Sequence, residues 1–164
     1  EAAGIWANDP MVMAYSESEQ AKKMAAYANK NKNSRSIKYC YRYVKRALLA
    51  GDMVKTYPPG AHAKEAVRDL KAQGMINMLD NPKYREMIKS PEDAPKNAII
   101  VYENDDPRAS GDTQIKTDWG TNGKYISDFA SNNSYLKSPR AREAAKNKKP
   151  YRIKGVMIKD LTKE

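Results

Sequence analysis

Hydrophobic positions recur with a helical period in the first half of the chain and with the rhythm of short strands in the second. Ala21, Met24, Ala25 and Ala28 share one face and predict a helix reaching about Asn29, opened by a capping box from Ser16 to Glu19. Ahead of it, Ile5, Trp6, Met11, Val12, Met13 and Tyr15 gather around Asn8-Asp9-Pro10 and predict a packed arm. Cys40, Val44, Ala47 and Leu48 form the inner face of a second helix, from about Tyr39 to a stop at Gly51. Arg42, Lys45 and Arg46 leave on its other side. A third helix is expected from about Ala63 to Gln73, ended by Gly74, and a short one over Pro82–Ile88.

After Ser90–Lys96, which carries two prolines, the texture changes. Strands are expected at Ala98–Tyr102, Thr113–Thr117, Lys124–Phe129 and Tyr151–Ile158. Asp118–Gly123 reads as a turn, and Arg140–Asn147 as a short basic helix. Helices followed by mostly antiparallel strands imply an α+β class, with N-terminal helices packed on a small antiparallel sheet. Residues 1–35 read as an arm and helix and residues 36–164 as the α+β domain, one structural unit overall.

Composition narrows the chemistry. One cysteine and one histidine exclude an internal disulfide framework and a Cys- or His-rich metal site. No phosphate-binding glycine motif is present, so no cofactor and no metal are implied. The run Glu103-Asn104-Asp105-Asp106 lacks the calcium-loop pattern and reads as a solvated loop. No apolar run approaches the roughly 20 residues of a membrane span. The net charge of +10 points to an anionic partner, a cell-wall glycopolymer or non-specifically held nucleic acid. The densest basic stretch, 140–154, has seven Lys or Arg in 15 residues. No nucleic-acid-recognition motif accompanies it. Glu1 in place of Met predicts a processed N-terminus, hence a secreted, extracytoplasmic or virion-associated protein.

Cys40 is the residue around which chemistry can be built. A thiol where a helix begins meets the positive end of the helix dipole and free N–H groups, which favour the thiolate. Attack on an amide also needs a base and an acid, work that imidazole does with a pKa near 7. The sole imidazole, His62, lies in the loop Tyr57–His62 ahead of the third helix.

Three blocks carry a family resemblance: Ser36–Leu49 around Cys40, Pro95–Tyr102, and Ser110–Phe129. Over roughly residues 36–129 their order and spacing resemble the papain-like cell-wall cysteine peptidases and amidases of the NlpC and CHAP types. The resemblance implies a papain-like single domain with Cys40 as nucleophile. It also implies a histidine directly after Gly111 and a polar residue on the next strand to orient it. This chain has Asp112 at the histidine position, Asp128 as the best third member with Ser127 next, and Asn97 where a glycine is common. A carboxylate of ordinary pKa is a poor acid at neutral pH, and its charge beside Cys40 would raise the thiol pKa. The expectation is therefore a peptidoglycan peptidase/amidase scaffold impaired in catalysis, a pseudoenzyme that binds cell wall or a protein partner. Tyr39, Tyr41, Arg42, Gln114 and Trp119 are expected to contribute to binding. Two alternatives stand beside it. One is an active cysteine hydrolase using Cys40 with His62 or a desolvated Asp112. The other is a basic structural, virion or surface-assembly protein contacting nucleic acid or a protein neighbour.

Overall fold

Polar caps and short apolar runs set the helices. In the computed structural model, which describes residues 2–163, Pro10 opens α1 (Pro10–Ser16) and the Asp9 carboxylate accepts from the Val12 N–H at 3.0 Å. Glu1, on which the expectation of a processed N-terminus rests, lies outside the described residues, as does Glu164. Ser18 caps α2 (Glu19–Asn31), its hydroxyl accepting from Ala21 at 3.0 Å. Ser16 was the cap expected from sequence, but it is the buried last residue of α1. The apolar run Met11–Tyr15 makes a helix of its own, which consumes Ser16 and moves the chain break to Ser18.

Helix α3 (Cys40–Ala50) buries Val44, Ala47 and Leu48, the face read from its spacing, and packs against α2. The following Gly51 is a point of close approach. A Cβ there would lie 2.5 Å from the Gln20 carbonyl oxygen and 2.8 Å from the Met24 Cβ. The expected third helix opens as a tight turn over Ala63–Glu65 and becomes α4 (Ala66–Ala72). Helices α5 (Pro82–Met87) and α6 (Pro139–Lys146) complete the set of six among the described residues.

The six strands among the described residues are β1 (Ile76–Asn77), β2 (Ile99–Glu103), β3 (Asp112–Lys116), β4 (Tyr125–Ile126), β5 (Ala130–Ser131) and β6 (Arg152–Ile158). They form one sheet in the order β1-β6-β2-β3-β4-β5, with every neighbouring pair antiparallel. The run Met75–Leu79, unassigned by its pattern, supplies the edge strand β1. The single strand expected over 124–129 is broken. Ser127 turns back onto Phe129 (N to O 2.9 Å), leaving β4 and β5 on either side of Ser127-Asp128-Phe129. Asp128 therefore sits in a turn and not on a strand.

Strand β2 is fully buried from Ile99 to Tyr102, as its unbroken apolar run requires of a central strand. One hydrophobic core runs from Trp6 to Ile158. The N-terminal arm is locked to it through Trp6 Nε1 to the Asp93 carbonyl (2.7 Å) and Tyr15 OH to the Asn97 carbonyl (2.6 Å). Asn97 has φ of +69°, a left-handed conformation that Asn tolerates better than most residues. That explains why a glycine suits the equivalent turn. The acidic run after β2 is structural: Glu103 and Asp105 pair with Arg152 at 3.1 and 2.9 Å. The whole is an α+β domain of papain-like architecture, with a cysteine-bearing helix laid on an antiparallel sheet.

Candidate functional site

The site forms where the first residue of α3 meets the first residue of β3. Gly111 sets the second of these. Its φ is +79°, and a Cβ would run into the Tyr102 carbonyl oxygen and crowd Lys64, so only glycine fits. The turn delivers Asp112 into register opposite Tyr102. Helix α3 packs on β3, and Cys40 and Asp112 line one hollow, near enough for the carboxyl to act on the thiol. The backbone N–H of Thr113, one residue along, acts in favour of the thiolate.

The electrostatics oppose a thiolate. Burial pushes the Cys40 thiol well above its ordinary value, and the neighbouring Asp112 carboxyl pushes it further. Thr113 pulls the other way, and the Asp128 charge adds a small further rise. A helix N-terminus favours an anion by about 0.3–1 kcal/mol, too little to offset burial beside two carboxyls. Asp112 itself is pushed up to about 7, chiefly by burial. The neighbouring Cys40 thiol and the Arg140 charge pull it down, while the Asp128 charge raises it. At neutral pH the pair thus consists of a protonated thiol and a half-protonated carboxyl.

Asp128 is buried and serves the approach to Cys40. Its Oδ2 accepts from the N–H groups of Ile37 (2.7 Å) and Tyr39 (3.2 Å), and its Oδ1 accepts from Ser127 Oγ (3.1 Å). Its carbonyl accepts from the backbone N–H of Asn33 at 2.7 Å and the Asn33 side chain at 2.9 Å. One residue therefore pins the segment 33–39 that leads into α3. Asp128 orients backbone here, where the sequence reading has it as the third member of the site, orienting the residue at the histidine position.

Cys40 lies between two hollows, each of about 520 Å³, which share Lys38, Cys40 and Ser110. One is lined by Tyr39, Tyr41, Arg42, Lys45, Tyr57 and His62 among others. The second contains Asp112, Gln114, Asp128, Ser134, Tyr135 and Arg140. Of the expected binding residues, Tyr39, Tyr41 and Arg42 fall in the first and Gln114 in the second. Arg42 lies over the Tyr39 ring, 4.1 Å from its centroid. Gln114 is buried, its Oε1 accepting from Tyr102 OH (2.9 Å) and from the Tyr135 N–H (3.0 Å). Trp119 lines neither hollow. It is 3% exposed and belongs to the core, because the turn closed by the Asn122 N–H on its carbonyl (3.1 Å) leaves the large indole free to pack inward, where burial favours it.

His62 sits at the rim of the first hollow with Nδ1 2.9 Å from Ser110 Oγ. Its backbone opens the turn into α4, where Glu65 caps its N–H at 2.9 Å. These contacts hold the ring on Ser110, two residues from Asp112, and away from hydrogen-bond contact with Cys40. Among the described residues no group of three His, Cys, Asp or Glu side chains is arranged to hold a metal ion.

Several contributors had no signal in the sequence. Asp69 of α4 is buried and accepts from Tyr41 OH (2.6 Å) and from the Gly60 N–H (2.8 Å), fixing the wall of the first hollow. Lys45 reads as an outward basic residue, yet it is buried and donates to the Gly60 carbonyl at 2.5 Å. Ser134, 2% exposed, lines the second hollow, and its hydroxyl has no hydrogen-bond partner among the described residues. Each depends on distant loops crossing α3 or β3, which local periodicity cannot report.

No family model matches this chain, and no curated protein does. Solved structures do. A chain of the native type VI effector–immunity complex Tae3–Tai3 from Ralstonia pickettii matches with a TM-score of 0.57 and 24% identity. That match covers 85% of this chain and 97% of the other. A chain of the selenomethionine form of the same complex matches with a TM-score of 0.56 and 23% identity, over 80% and 97%. At these identities the likeness is one of fold.

Proposed function

We propose that this chain is an extracytoplasmic peptidoglycan-binding domain on a papain-like amidase scaffold, with its cysteine chemistry strongly reduced by Asp112. The observation that carries the reading is the Cys40–Asp112 pair. The helix-start thiol meets a carboxyl on the strand where such scaffolds place an imidazole. Imidazolium would stabilise the thiolate and then protonate the leaving amine. Asp112 does the reverse for the sulfur, holding the proton on it. The likeness to a chain from effector–immunity complexes supports a protein partner in addition to the polymer.

Restoring the imidazole tests this. Asp112→His is expected to release soluble muropeptides from purified sacculi at least about a hundredfold faster than wild type, the usual worth of general acid–base catalysis. A correctly folded Asp112→His protein without cleavage, or wild type cleaving at the same rate, overturns the reading.

One observation favours a second reading, that of a slow hydrolase. Asp112, pushed up to about 7, can give and take a proton near neutrality. As a base it would draw a proton from a thiol of much higher pKa, an uphill transfer that keeps the rate low. This reading predicts residual sacculus cleavage by wild type that Cys40→Ala and Asp112→Asn both abolish. Equal yields from all three proteins sink it.

A further inference from the structure

The two hollows beside Cys40 differ in charge. The second contains Asp112 and Asp128 together with Arg140 and the shared Lys38. The first has no acidic residue in its lining, and four of its residues are Lys38, Arg42, Lys45 and His62. Lys45 is the informative one. It is 6% exposed, and it makes no ion pair among the described residues. Its ammonium donates to one carbonyl and lies over the Tyr41 and Tyr57 rings, 4.3 and 4.7 Å from their centroids. Burial lowers its pKa, and the charges of Asp69 and Glu65 oppose that from beyond ion-pair distance. Asp69 is committed to Tyr41 and Gly60. A buried ammonium held by a carbonyl and two aromatic faces is incompletely compensated, so an incoming anion would gain from it.

We propose that this hollow is a binding subsite for a free carboxylate on a peptide, with Lys45 and Arg42 as its charged floor and rim. The apolar stem next to the carboxylate would lie against Tyr57, which is 48% exposed. Exposed Lys38, with φ of +66°, adds a third cation to the lining and is shared with the second hollow. The assignment names the substrate group for the peptidoglycan-binding reading and rests on it for the identity of the peptide. The cation arrangement itself does not depend on that identity.

The test uses the full chain and two probes, N-acetyl-Ala-Glu with free carboxylates and its diamide. Two-dimensional NMR would follow the backbone amides of residues 38–46 and 57–63. The free acid is expected to shift these signals with an affinity about tenfold above that of the diamide, a preference that salt weakens. Arg42→Gln and Lys38→Gln, both at exposed positions, should each reduce that preference. Lys45→Met should abolish it where its spectrum remains dispersed. Equal shifts from acid and diamide, or none from the acid at tens of millimolar, overturn the assignment. Loss of sacculus binding with the dipeptide preference intact would instead overturn the peptidoglycan reading and leave the carboxylate subsite standing.

Discussion

At the residue scale, the chemistry turns on which side of a proton transfer Cys40 and Asp112 occupy. The folded Asp112 carboxyl titrates near 7 and its unfolded counterpart near 4. Between those values the folded chain binds the extra proton, so stability falls as pH rises from about 4 to 7, and the penalty is complete above 7. Asp112→Asn removes it. We expect the variant to gain about 1–3 kcal/mol over wild type at pH 8 and little at pH 4, read by urea denaturation at the two values. The same change removes a charge that holds the proton on sulfur. Alkylation of Cys40 by iodoacetamide at pH 7.5 should then run about tenfold faster for each unit of thiol pKa regained. Equal alkylation rates would place the thiol outside the reach of Asp112.

At the element scale, the site exists because a glycine turn, a helix start and an interrupted strand converge. Gly111 starts β3 at a backbone geometry that a side chain would oppose on two counts, its φ and the nearby Tyr102 carbonyl. Gly111→Ala is expected to cost about 1–3 kcal/mol and to displace Asp112, lowering the midpoint of thermal unfolding. An unchanged midpoint would mean that the turn relaxes freely. The break between β4 and β5 has the complementary role. By turning at Ser127–Phe129 the chain points the Asp128 carboxylate at the N–H groups of Ile37 and Tyr39. An unbroken strand from 124 to 129 would have kept the backbone there in the ladder, with no turn to reach the segment 33–39.

At the scale of the whole molecule, the basic excess sits mostly in solvent, but two lysines are buried, Lys45 at the cleft and Lys116 under the sheet. Lys116 is 1% exposed, donates to the Asp118 carbonyl at 2.5 Å and has its pKa lowered to about 8 by burial. An unfolded lysine titrates near 10.4. From about pH 8 to 10 the unfolded chain therefore holds the extra proton, and stability rises with pH across that window. Above it the buried tyrosines, whose pKa values are raised, act in the opposite direction. Lys116→Met should stabilise the protein by about 1–3 kcal/mol at pH 7 and flatten the rise between pH 8 and 10. A wild-type stability that is level over that window would show Lys116 charged and compensated in the fold.

Much of this architecture is legible in the linear chain because its causes are local. The inner face of α3, the buried run of β2, the Gly51 stop and the glycine before Asp112 follow from period, propensity and backbone sterics within a few residues. That local information also placed Cys40 at a helix start and a strand from Thr113, whereas Asp112, which opens that strand, is singled out only by the family resemblance. Their meeting, the half-protonated carboxyl and the protonated thiol belong to the tertiary structure, because burial and charge at a site are sums over elements far apart in sequence. The same holds for Trp119, taken into the core by its turn, and for His62, held on Ser110 away from the sulfur. It holds most clearly for Lys45, whose helical phase reads as solvent-facing until the loop at Gly60 closes over it.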